Sequence, residues 1–72
     1  MKVFFDKESF AEPIEMDLSF VPRQNEVVRI DNIDYAVQNV LHYVDKNVVF
    51  IYILTLEEWK EYTTGISSKV RK

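Results

Sequence analysis

The sequence predicts a mostly β member of the α+β class, with about five antiparallel strands forming a small barrel or a strongly bent sheet and one short C-terminal helix packed on it. Three observations lead there. Residues 14–20 alternate apolar and polar, the period of a strand with one wet face. The longest apolar run, 48–54, draws six of its seven residues from Val, Ile, Phe and Tyr, which suit a pleated surface better than a helix. A single segment, Thr55-Leu56-Glu57-Glu58, carries a helix start signal.

In chain order, Val3–Phe5 is a short apolar run and the first strand. Residues 6–12 are polar apart from Phe10 and Ala11 and form a loop or one helical turn. Ile14, Met16, Leu18 and Phe20 then alternate with Glu15, Asp17 and Ser19, so the second strand is expected over 14–20, begun by Pro13 and ended by Pro22. Val27, Val28 and Ile30 mark a third strand. Asp31-Asn32-Ile33-Asp34 is a tight connection to a long fourth strand, 35–44. The spacing from Val37 to Val40 breaks the alternation and places a β-bulge near Gln38-Asn39. Asp45-Lys46-Asn47 is a second hairpin turn before the fifth strand, 48–54. With one glycine in the chain, Asn25, Asn32 and Asn47 are the residues expected to supply the positive φ that tight turns need.

Thr55 and Glu58 have the spacing of a capping box, and Glu57 and Glu58 suit the positive end of a helix dipole. Gly65 is the expected stop. A helix that short is not stable alone in water, so Leu56 and Trp59 are expected to dock on the sheet. Residues 1–65 then form a single globular domain, and 66–72 a basic C-terminal tail of the kind that is commonly a disordered, solubilising end.

The fourth and fifth strands pose a packing question. With Lys46-Asn47 as a two-residue loop, Val40, His42 and Val44 share a face with Val49, Ile51 and Ile53, while Leu41, Tyr43, Phe50, Tyr52 and Leu54 share the other. Both faces are apolar, unlike a sheet with one face in water. The second face is therefore expected to be covered by barrel closure, by the helix or by another chain.

Composition narrows the function classes. A chain of 72 residues is one domain, near the size at which a single core only just outweighs chain entropy. It has no cysteine and one histidine, which excludes disulfides, thiolate-bound metal and a multi-histidine site within one chain; no cofactor is expected. The start, Met1-Lys2-Val3-Phe4-Phe5-Asp6, reads as no signal peptide, and no run approaches the length of a membrane span, so a cytoplasmic protein with no membrane partner is expected. The charge is −4 over residues 1–34, −2 over 35–61 and +3 over 62–72. An acidic body repels phosphates and disfavours nucleic acid through the main fold, leaving Lys69, Arg71 and Lys72 as the contact for nucleic acid or an acidic partner.

Pro22-x-x-Asn25-Glu26-x-Val28-x-Ile30 followed by Tyr35-x-Val37-x-x-Val40 resembles a recurring pattern in small SH3-like barrel proteins of uncharacterised bacterial and phage type. The resemblance implies an SH3-like barrel and the setting of a phage- or mobile-element-type accessory or regulatory protein. It implies no activity, since such barrels host unrelated functions.

Candidate sites remain few. His42 could be a general base or half of an intersubunit metal site, but no nucleophile pattern accompanies it, and a strand histidine packed beside Val40 and Val44 is the simpler reading. Asp31-x-x-Asp34 lacks the dense oxygen ligands and glycine of a calcium loop. Trp59 reads as the anchor of the helix before it reads as a partner's hot spot. No paired acid–base constellation or phosphate-cradling glycine loop is present, so the chain is expected not to be an enzyme. The leading expectation is a protein-interaction module, self-associating or binding another protein through a strand edge or through Leu41, Tyr43, Phe50 and Tyr52. The alternatives are a nucleic-acid-binding barrel using the basic tail and a structural protein.

Overall fold

The most apolar strand takes the middle of the sheet. The computed structural model describes the backbone of residues 1–71 and the side chains of residues 1–64. Five strands, β1 (Lys2–Asp6), β2 (Ile14–Asp17), β3 (Val27–Ile30), β4 (Ile33–Tyr43) and β5 (Val48–Thr55), are ordered β2-β1-β5-β4-β3, and one helix, α1 (Leu56–Arg71), follows. The fold is mostly β with a single C-terminal helix, as the residue pattern predicts. β2 and β3 do not pair with each other, and the sheet curls into a half-barrel. The sheet is mixed rather than antiparallel throughout as expected: three of the four strand pairs are antiparallel, but β1 and β5 are parallel, with Phe4 beside Phe50. The antiparallel pairs join strands consecutive in the chain, where short connections impose reversal. β1 and β5 are separated by the whole intervening chain, so no hairpin fixes their direction.

The concave face holds the core. Val3, Phe5, Ile30, Tyr35, Val37, Val49, Ile51 and Ile53 are buried there, with Phe10, Ile14, Met16, Leu18, Val21, Val28 and Val40 packed around them. Tyr35 meets the Phe10 ring edge-on at 6.2 Å, so the β1–β2 connection closes over one end of the core. No polar or charged residue is buried among the described residues.

The turns follow the asparagines. Asn25, Asn32 and Asn47 all have positive φ, and Asp31 joins them at 52°. Asp31 and Asn32 alone link β3 to β4, both left-handed as a type I′ hairpin requires, and Ile33 and Asp34 belong to β4. Arg29 clamps this hairpin through two hydrogen bonds to Asp34, at 2.6 and 3.2 Å. The bulge falls between Val37 and Asn39. There Val37 donates to Glu26 O at 2.8 Å and accepts from Asn25 N–H at 2.9 Å, so its backbone groups stay satisfied while the strand bends.

Three further expectations are corrected. The second strand stops at Asp17 rather than Phe20, because β1 runs out: Lys2 pairs with Asp17, and Met1 O takes the Leu18 N–H as the last rung. Phe20 is left 63% exposed. The β4–β5 connection is a 3₁₀ turn over Val44–Lys46 plus left-handed Asn47, so Tyr43 faces Val48 and Leu41 faces Phe50. This register differs by two residues from that of a two-residue loop, and an even shift leaves the paired strand residues on their expected faces, whereas Val44, expected on the core face, falls in the turn and is 87% exposed. Finally, α1 passes Gly65 and continues to Arg71; an interior glycine costs about 1 kcal/mol and does not by itself end a helix. Among the described residues no helix is long and apolar enough to cross a membrane.

Candidate functional site

The convex face of the sheet is where the outward side chains of β1, β4 and β5 meet. Strand alternation puts Phe4, Leu41, Tyr43, Phe50 and Tyr52 there, opposite the core. The Phe4 and Phe50 rings stack with centroids 4.9 Å apart, and Tyr43 meets Phe50 edge-on at 5.5 Å. Lys46 Nζ lies 5.9 Å above the Tyr43 ring, within cation–π range. Leu41 is 41% exposed and Tyr43 37%, while Phe4, Phe50 and Tyr52 are half-buried. Lys2 and Glu15, 3.6 Å apart, border the cluster at the β1–β2 side. An apolar aromatic centre inside a charged rim is the anatomy of a protein-binding patch.

α1 answers part of the question of what covers this face. It packs against β4 and β5, and Ala36, paired with Leu54 near the start of the helix, is buried. The covered part is therefore the end nearest Thr55. The helix is fastened there by its cap. Glu58 N–H donates to Thr55 Oγ1 at 3.1 Å, and Thr55 N–H donates to Glu58 Oε1 at 2.9 Å. Lys7 adds a tie from the β1–β2 connection, its ammonium 2.7 Å from Glu58 Oε1. The hydrogen bond from Lys7, then that from the Thr55 backbone, holds the Glu58 carboxyl below its ordinary value of 4.5. Trp59 is half-buried and stacks on Tyr62 of its own helix at 5.6 Å, whereas Leu56 is exposed rather than docked.

The structure thus brings Leu41, Tyr43, Phe50 and Tyr52 together on one face and adds Phe4. Phe4 escapes sequence reasoning because its neighbour Phe50 belongs to a strand distant in the chain. The available signal is the Phe4-Phe5 doublet, since consecutive strand residues point to opposite faces and one ring had to leave the core. The second expected surface, an open strand edge, exists twice, at β2 and β3. Between them Met16, Leu18, Phe20, Val28 and Ile30 line an apolar cleft of about 560 Å³. His42 is exposed, opposite Val49. The side chains of Lys69 and Arg71, and all of Lys72, lie outside the described residues. The chain matches no protein-family model, no curated protein and no solved structure.

Proposed function

We propose that this chain is a non-enzymatic protein-interaction module that presents its convex aromatic face to a protein partner. One observation carries the reading: Phe4, Phe50, Tyr43 and Leu41 form a contiguous apolar cluster on the side of the sheet away from the core, with Leu41 and Tyr43 exposed. A small domain that needs every apolar contact for its core leaves such a cluster in water at a cost in solubility, which a binding role offsets. The rings are held in place by one another, so they lose little freedom on binding, and aromatic residues dominate interface energetics. The function is exerted by occupancy: the module covers a surface of its partner, in keeping with an accessory or regulatory role.

The test compares two baits, the wild-type chain and the double variant Leu41→Glu, Tyr43→Glu. Both positions are exposed, so the variant is expected to keep the wild-type circular dichroism spectrum. Partners retained by the wild type and lost by the folded variant support the reading. Equal capture by both removes this face from the mechanism.

A further inference from the structure

We propose that the groove between α1 and the β1–β2 connection receives the basic C-terminal end of a second copy of this chain. The proposal rests on the reading of the chain as an interaction module but uses a groove that shares only Tyr52 with the convex cluster, so the two can fail separately.

The groove encloses about 860 Å³ beside the helix. Its apolar lining includes Tyr52 and Leu54 of β5 together with Phe10, Pro13 and Tyr62. Charge selects the occupant. Asp6, Glu8, Glu58 and Glu61 line the groove against a single cation, Lys7. That cation is already engaged: its side chain is 8% exposed and bonded to Glu58. Asp6, Glu8 and Glu61 form no ion pair among the described residues. Three like charges around an apolar groove repel one another, and a cationic occupant relieves that repulsion. Aromatic walls also suit such an occupant, because lysine and arginine lay apolar stems on rings and hold their charged heads at the rim.

The chain carries the complement. After Glu61 it has three cations, Lys69, Arg71 and Lys72, and no acid. Three groove carboxylates with no ion-pair partner among the described residues are thus matched in number by three cations encoded in the same chain. Within one molecule the α1 backbone separates Glu61 from Lys69. α1 runs unbroken from Leu56 to Arg71, and at about 1.5 Å per residue Lys69 lies roughly 12 Å along the axis beyond Glu61. A second molecule has no such restraint. Exposed ion pairs are individually weak, so the association is weak and salt-dependent.

Sedimentation equilibrium of the full chain tests this, at about 20 mM and about 500 mM salt, conditions between which the Debye length falls from about 20 Å to about 4 Å. The expected result is self-association at low salt that weakens at least tenfold at high salt. Two charge-reversed variants sharpen the test, Glu8→Lys with Glu61→Lys, and Lys69→Glu with Arg71→Glu. Each alone is expected to be monomeric with an unchanged melting curve, and an equimolar mixture is expected to associate, because a reversed groove then meets a reversed end. A monomer at every concentration at low salt overturns the proposal. So does association that survives high salt and is lost in Leu41→Glu, Tyr43→Glu, which would assign self-contact to the convex face. A mixture of the reversed variants that stays monomeric overturns it as well.

Discussion

Asn47 stands at the tip of the longest hairpin with φ of 55° and closes the 3₁₀ turn through its N–H to Val44 O. For an L-residue with a Cβ this conformation costs roughly 1–2 kcal/mol, less for asparagine, whose short polar side chain tolerates it. Asn47→Ala is therefore expected to lose about 1 kcal/mol, and Asn47→Gly to be neutral or slightly stabilising; denaturant midpoints at constant m-value separate the two. An opposite order would mean that the Asn47 side chain, not its backbone, matters. Ile51 sets the other limit at this scale. It is fully buried at the centre of the middle strand. Ile51→Val should cost about 0.5–1.5 kcal/mol, and Ile51→Ala about 2–5 kcal/mol, a large share of the stability expected of so small a domain.

At the scale of elements, α1 owes its start to a reciprocal cap and is held by packing on β4 and β5 together with the Lys7–Glu58 ion pair. Thr55→Ala removes the acceptor for the Glu58 N–H and is expected to cost about 1 kcal/mol by thermal or denaturant melting. Glu58 adds a pH dependence whose sign is fixed by its depressed folded-state pKa. The native state holds this carboxylate ionised more readily than the unfolded chain does, so its contribution is fully present above the ordinary value of 4.5 and is lost as pH falls through the folded value. Glu58→Gln is therefore expected to melt below the wild type at pH 7, with the gap closing as pH is lowered from about 4.5 toward 2. A gap that stays constant over that range would show that protonation of Glu58 does not report the Lys7 contact. These features were legible because they are local: Thr55-x-x-Glu58, the positive-φ asparagines and the bulge after Val37 each lie within a few residues of their cause. The early end of β2 was not legible, because it depends on where β1 begins, and the exposure of Leu56 was hidden because it depends on where α1 lands. Likewise the four outward residues of the β4–β5 hairpin could be sorted by parity alone, whereas Phe4 reached the same cluster through a parallel pairing that no turn announces.

For the whole molecule, the half-barrel has a graded architecture. β5 is bonded on both sides, to β1 and β4, and supplies three of the eight residues of the buried cluster, Val49, Ile51 and Ile53. β2 is a four-residue edge with no fully buried residue, held by β1 alone. β3 is also a four-residue edge, but Ile30 is buried and the Arg29–Asp34 clamp ties it to β4. Local opening free energy follows contacts and ladder bonds, so edges open before the centre. Native-state hydrogen exchange is thus expected to rank the strands with the interior amides of β5 slowest, near the global unfolding limit, then β4 and β1, then β3, with β2 fastest. The order bears on the proposed role, because opening of β2 would widen the apolar cleft it shares with β3 and free the Phe4 side of the convex face, whose neighbour across the pair is Glu15. Protection of β2 equal to that of β5 would mean that the domain opens only as a unit, and the aromatic face would then be presented by a rigid scaffold rather than by one whose β2 edge breathes.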